Sequence, residues 1–229
     1  MPTATEAEEH LRVIRSLMEK ATIYRAISAP SALVGGICST GFGGWLWFQW
    51  RPLPQGIEEV AFAHWFFFGW MAVLLLTITA NALFIWRAAR ERSEPFISPA
   101  MRKALWALFP PVLCGAVFTF ASLFLGSVSA RWNLPPIWMV FYGLGLLATA
   151  QFAPKSIPIL GWFFLVAGFL SFGFDHWLEL TRMLGHGETH RPTAANLLMV
   201  ATFGGFHLIY AACTWPRRAS APATLSSTP

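Results

Sequence analysis

Six long apolar runs, separated by short polar segments that alternate between rich and poor in positive charge, dominate this chain. They are Ser31 to Trp50, Val60 to Trp86, Ala104 to Gly126, Pro136 to Ala150, Ile157 to Phe174 and Ala194 to Trp215. A helix needs roughly 20 apolar residues to cross a hydrocarbon core of about 30 Å. The fourth and fifth runs are short, a mismatch that costs only fractions of a kcal/mol per Å. With 12% charged residues, against about 25% in soluble domains, the chain belongs in lipid. The expected fold class is all-α: a polytopic integral membrane protein with a bundle of six transmembrane helices over 30–216. An amphipathic cytoplasmic helix precedes it over 1–29, and a disordered cytoplasmic tail follows over 217–229.

Orientation follows from the excess of Lys and Arg on the cytoplasmic side. Arg12, Arg15, Lys20, Arg25, Arg87, Arg90, Arg92, Arg102, Lys103, Lys155, Arg217 and Arg218 fall on one face, twelve of the 16 basic residues. Arg51, Arg131, Arg182 and Arg191 fall on the other. Both termini are expected inside, in a bacterial-type cytoplasmic (inner) membrane, with the first span as the targeting signal, because the first 30 residues lack the uninterrupted apolar core of a cleavable leader. Anionic lipid accounts for the basic residues beside the spans, so the net charge of +5 calls for no nucleic acid. Membrane lipids, and a protein partner or a second copy, are the expected partners. Cys38, Cys114 and Cys213 all lie inside runs and are odd in number, which argues against a disulfide framework.

Thr5 and Glu8 have capping-box spacing. Beyond them Leu11, Ile14, Leu17, Met18, Ala21 and Tyr24 recur at helical intervals, which makes an amphipathic helix suited to the interface. It should end near Ser28, because Pro30 disfavours helix for the residue before it. In the first span Ala32, Gly36, Thr40 and Gly44 recur every four residues, a small-residue seam where another helix can approach closely. A span of the same chain is the expected partner. Ala201 and Gly205 offer a weaker seam. Pro110 and Pro111 interrupt the third span and should bend it. Tryptophans near the run ends, such as Trp45, Trp47, Trp50, Trp132 and Trp138, read as an interfacial belt.

No run holds Asp, Glu, Lys or Arg away from its ends. Intramembrane charges mark ion pathways and voltage sensors, so those classes lose support. Asn81 in the second span and His207 in the sixth lie at a similar depth from the cytoplasmic end, where an interhelical polar contact between them is expected. His64, His176, Glu179, His186 and His190 gather toward the outer face, a set of donors that a transition metal could use. Their spacing matches no standard zinc pattern, and a solvated polar loop is the favoured explanation for them, although they form the best candidate site in the sequence. His64 and His176 share a level that would suit axial haem ligation, with no second intramembrane pair beside them. The default is therefore no cofactor, with a transition metal or haem as the alternative.

No P-loop, dinucleotide fingerprint, zinc-protease motif or nucleophile elbow is present, which weighs against an enzyme. In general pattern the chain resembles small six-span bacterial membrane proteins. The primary expectation is a non-enzymatic integral membrane subunit or sensor acting through protein or lipid partners. One alternative is a small transporter or channel for an uncharged or lipid-like solute. A second is a metal- or haem-binding membrane enzyme with an outer-face histidine site.

Overall fold

The computed structural model describes residues 8–10, 29–50, 57–91, 93, 95–97, 99–126, 132–151, 153–183 and 191–215, without the side chains of 57–59, 100, 174–183 and 191. Among them every regular element is helical: α1 (Ala29–Gln49), α2 (Ile57–Glu91), α3 (Pro99–Phe124), α4 (Leu134–Ala148), α5 (Ser156–Met183) and a last rod built of α6 (Arg191–Met199), a π segment (Val200–Phe206) and α7 (His207–Thr214). Of the predicted N-terminal helix only a helical stretch at 8–10 is described; the rest of it and the tail lie outside the described residues.

Among the described residues four stretches are long and apolar enough to cross a membrane: Val60–Glu91, Met101–Phe124, Ser156–Gly173 and Pro192–Thr214. The other two runs fall short for different reasons. α1 has the length, but its glycines, serines and threonine dilute its apolarity. α4 is apolar but has only 15 residues, about 22 Å of helix.

These two weaker elements are the innermost ones. α1 packs on α2 and on all three parts of the last rod, and α4 packs on α3 and α5. α2 and α3 are peripheral, with rows of exposed residues such as Leu75 and Ile78 on one and Phe109, Val117 and Phe120 on the other. Apolar side chains in such rows suit hydrocarbon as their solvent.

The core has two parts, one toward each end of the bundle. At the Trp132 end Leu46, Phe62, Phe66, Trp70, Trp132, Ala195 and Met199 pack together, an aromatic cluster between α1, α2 and α6. Toward the Ala153 end, Ala32, Met139, Leu146, Ala153, Ile157, Leu160, Phe164, Tyr210 and Ala211 join α1, α4, α5 and α7.

Small residues set the distances between helices. A Cβ on Gly36 would lie 2.7 Å from Leu208 Cγ, one on Gly204 would lie 2.7 Å from Thr40 Oγ1, and one on Gly43 would collide with Val200 Cγ2. The pairs 36 with 208, 40 with 204 and 43 with 200 run antiparallel, so the first-span seam finds its partner in the last rod. Gly44 has nothing within 4 Å. Each four-residue step turns a helix about 40° past a full circle, and by Gly44 the stripe has rotated off the contact. Gly43, three residues after Thr40, brings it back. On the last rod the close approach falls at Gly204; Ala201 is exposed, and Gly205 has only the Val200 carbonyl near it, at 4.0 Å.

α3 runs as one helix through Pro110 and Pro111. Gly145 admits Leu108 of α3, and Gly115 meets Phe141 of α4, so α3 and α4 touch on both sides of the proline pair. α2 ends at Glu91, where Ser93 takes a left-handed φ of 55° and its N–H donates to the Arg90 carbonyl, a helix-stopping geometry.

Candidate functional site

The polar centre of the Ala153 half is a tyrosine and a histidine from distant parts of the chain. Tyr142 comes from α4, and His207 begins α7 directly after the π segment. A π segment closes its turns with i→i+5 bonds, is rare, and recurs at functional sites. His207 Nδ1 lies 3.0 Å from the Phe203 carbonyl, and a carbonyl can only accept, so Nδ1 carries the proton. Nε2 is then the acceptor, and the Tyr142 hydroxyl, 2.9 Å away, donates to it. Both ring nitrogens of a neutral imidazole are thereby satisfied.

Aromatic rings close around the pair. Phe164 stands 4.8 Å from Tyr142 and 5.5 Å from His207, and Phe203 stands 5.5 Å from Tyr142. One turn farther along α7, Tyr210 Oη lies 3.5 Å from Ser156 Oγ. Polar links thus tie the last rod to α4 and to the start of α5. A neutral, doubly bonded imidazole among phenyl rings is suited to fixing three elements in register. It offers no free lone pair to a metal.

Tyr142→Phe is expected to cost about 0.6 to 1.7 kcal/mol, the range for interhelical hydrogen bonds in membranes. His207→Leu should couple to it in a double-mutant cycle on unfolding free energy in mixed micelles. Strict additivity of the two would remove the link between them.

The expected contact between Asn81 and His207 is not made: His207 is bonded to Tyr142 and Phe203, while Asn81 Oδ1 is buried without a partner among the described residues. Equal depth does not make two helices neighbours.

His64 is exposed on α2. Its Nδ1–H donates to the Val60 carbonyl at 2.7 Å, its ring stacks on Phe68, and with Ala61, Trp65 and Phe68 it lines an open depression of about 390 Å³. His176 and Glu179 lie on the backbone of α5, with side chains outside the description, and His186 and His190 fall outside the described residues. Among the described residues no three His, Cys, Asp or Glu come together.

Asn196 was not singled out from the sequence, because it sits near the start of the last run, where polar residues are ordinary. It is 1% exposed, and its Nδ2 donates to the Gly43 carbonyl at 2.9 Å across the α1–α6 contact. Its Oδ1 and the Nε1 of neighbouring Trp70 are buried without hydrogen-bond partners among the described residues.

No protein-family model, curated protein or solved structure matches the chain.

Proposed function

We propose that the protein is a non-enzymatic, six-span integral membrane subunit or sensor of a bacterial-type cytoplasmic membrane, with both termini cytoplasmic, acting through a protein partner or a second copy of itself. In this reading α1 and α4, too polar or too short to stand alone in lipid, cross the bilayer as inner spans shielded by the other four. The observation that carries it is the division of labour between core and periphery. The core spends its polar groups on holding helices together, as Tyr142 and His207 do, while α2 and α3 turn long apolar faces outward with little covering them. Such faces can take up another helix as readily as lipid, since helix association in membranes rests on packing.

The test is site-specific photocrosslinking in native membranes, with the probe at Leu75 or at Val117, which are 67% and 59% exposed. One discrete protein adduct, or a dimer of the chain, is expected from at least one site. Lipid adducts alone at both sites, together with a monodisperse monomer in mild detergent, would overturn the reading. The second reading, a path for an uncharged solute, draws on the unpartnered Asn81 Oδ1. Proteoliposomes that swell in a neutral osmolyte with the native chain, and more slowly with Asn81→Leu, would favour it.

A further inference from the structure

Two buried polar atoms in the Trp132 half are complementary to each other. Trp70 on α2 is 3% exposed and Asn196 on α6 is 1% exposed; among the described residues the indole Nε1–H has no acceptor and the amide Oδ1 no donor. The amide cannot be turned around, because its Nδ2 donates to the Gly43 carbonyl at 2.9 Å, and reversal would set two oxygens against each other. Oδ1 is therefore the free end.

The Trp70 ring and the Asn196 amide border the same spot on α1. A methyl on Gly43 would lie 3.4 Å from Trp70 Cζ2 and 3.5 Å from Asn196 Oδ1, and α1, α2 and α6 pack against one another around it. Hydrocarbon packs beside them. Phe42 and Phe66 meet the Trp70 ring edge-on at 5.4 and 6.4 Å, and Val200 fills the remaining side of Gly43. An unmatched polar group is costly in hydrocarbon, so a donor and an acceptor on two side chains that border one spot define what would satisfy both.

The occupant must accept a hydrogen bond from the indole and donate one to the amide. An anion offers Oδ1 no donor, and an ammonium group offers Nε1–H no acceptor. A charged occupant would also find no Asp, Glu, Lys, Arg or His on α1 to balance it. A neutral hydroxyl oxygen does both jobs at once.

We propose that α1, α2 and α6 enclose a binding site for one neutral hydroxyl group, accepting from Trp70 Nε1–H and donating to Asn196 Oδ1, brought by a water or by a small alcohol-class solute. Buried waters typically make about three hydrogen bonds to such groups. The site does not depend on the subunit reading above.

The test is proton NMR on the full chain, perdeuterated and ¹⁵N-labelled at indole nitrogen, in nanodiscs of deuterated lipid. The Trp70 Nε1–H resonance is identified by its loss in Trp70→Phe. Should that variant not fold, the indole resonance that shifts in Asn196→Leu identifies it. The expected result is a downfield, slowly exchanging indole proton with a through-space cross-peak to a non-protein molecule, and loss of that cross-peak in Asn196→Leu. A cross-peak at the water frequency identifies water; one to carbon-bound protons identifies a co-purified solute. Two results overturn the proposal: an indole proton at the free, unbonded position with no such cross-peak, or a direct hydrogen bond from Nε1 to Asn196 Oδ1 with nothing between them.

Discussion

Gly143→Val is expected to unfold the α4–α5 pair, and Gly143→Ala to lower stability by about 1 to 3 kcal/mol, the usual cost of forcing extra volume into a packed site. A Cβ at this position would stand 2.7 Å from the Gly161 carbonyl oxygen and 2.9 Å from Leu165 N. These are main-chain atoms inside a helix, which no rotamer change can move aside, so the two helices must separate along their contact. Gly161→Ala should be milder, since its Cβ would stand slightly farther from what it meets, with the Gly143 carbonyl oxygen and Leu146 Cβ at 3.0 Å and Leu147 Cγ at 3.2 Å. Gly44→Ala provides the opposite sign. Nothing lies within 4 Å of its new methyl, and alanine is the better helix former by about 0.5 to 1 kcal/mol. Unfolding midpoints in a sodium dodecyl sulfate titration of the full chain give all three. If Gly143→Ala matched Gly44→Ala, the close approach of α4 and α5 would be wrong.

Phe164→Ala should cost about 3 to 5 kcal/mol, the range for removing a large aromatic from a core. The side chain has no exposed surface, and its ring meets those of Tyr142, Phe203, Phe206 and His207 at 4.8, 4.9, 5.3 and 5.5 Å. In lipid the penalty does not come from water avoidance, because acyl chains are as apolar as phenylalanine. It comes from the dispersion attraction that the surrounding rings forfeit when they line a void. Leu170, 68% exposed on the same helix, is the control: Leu170→Ala should stay within about 0.5 kcal/mol of the native protein. The same titration reads both, and a loss at Phe164 no larger than at Leu170 would show that the aromatic centre is not a packed core.

What the sequence could and could not announce follows from the range of each signal. Hydropathy is local, and all six runs reappear as helices, four of them long and apolar enough to cross a membrane. The seam at Ala32, Gly36 and Thr40 was legible because its members share one helix at a fixed step. Gly143 and Gly161 were not, since they lie on different helices and neither belongs to a stripe. The partnership of Tyr142 with His207 joins residues 65 apart, and depth alone made Asn81 an equally good match. Nothing local announced the π segment either, for its sequence, VATFGGF, reads as ordinary helix. Asn196 was hidden by its place near a run end, where its polarity carried no information. The outer histidines stay where composition left them, with His64 alone among them having a described side chain.

The 35 residues of α2 make a rod of about 52 Å at 1.5 Å per residue. Even at the steepest ordinary tilt, about 40°, its height stays near 40 Å, well beyond a hydrocarbon layer of about 30 Å. One end must therefore stand clear of the oil. Arg90, whose guanidinium lies 5.4 Å over the Trp86 ring, marks the end best equipped to do so. Because α1 packs directly on α2, the overlong outer rod is seated on one of the two innermost helices, and its tilt is bounded by that contact.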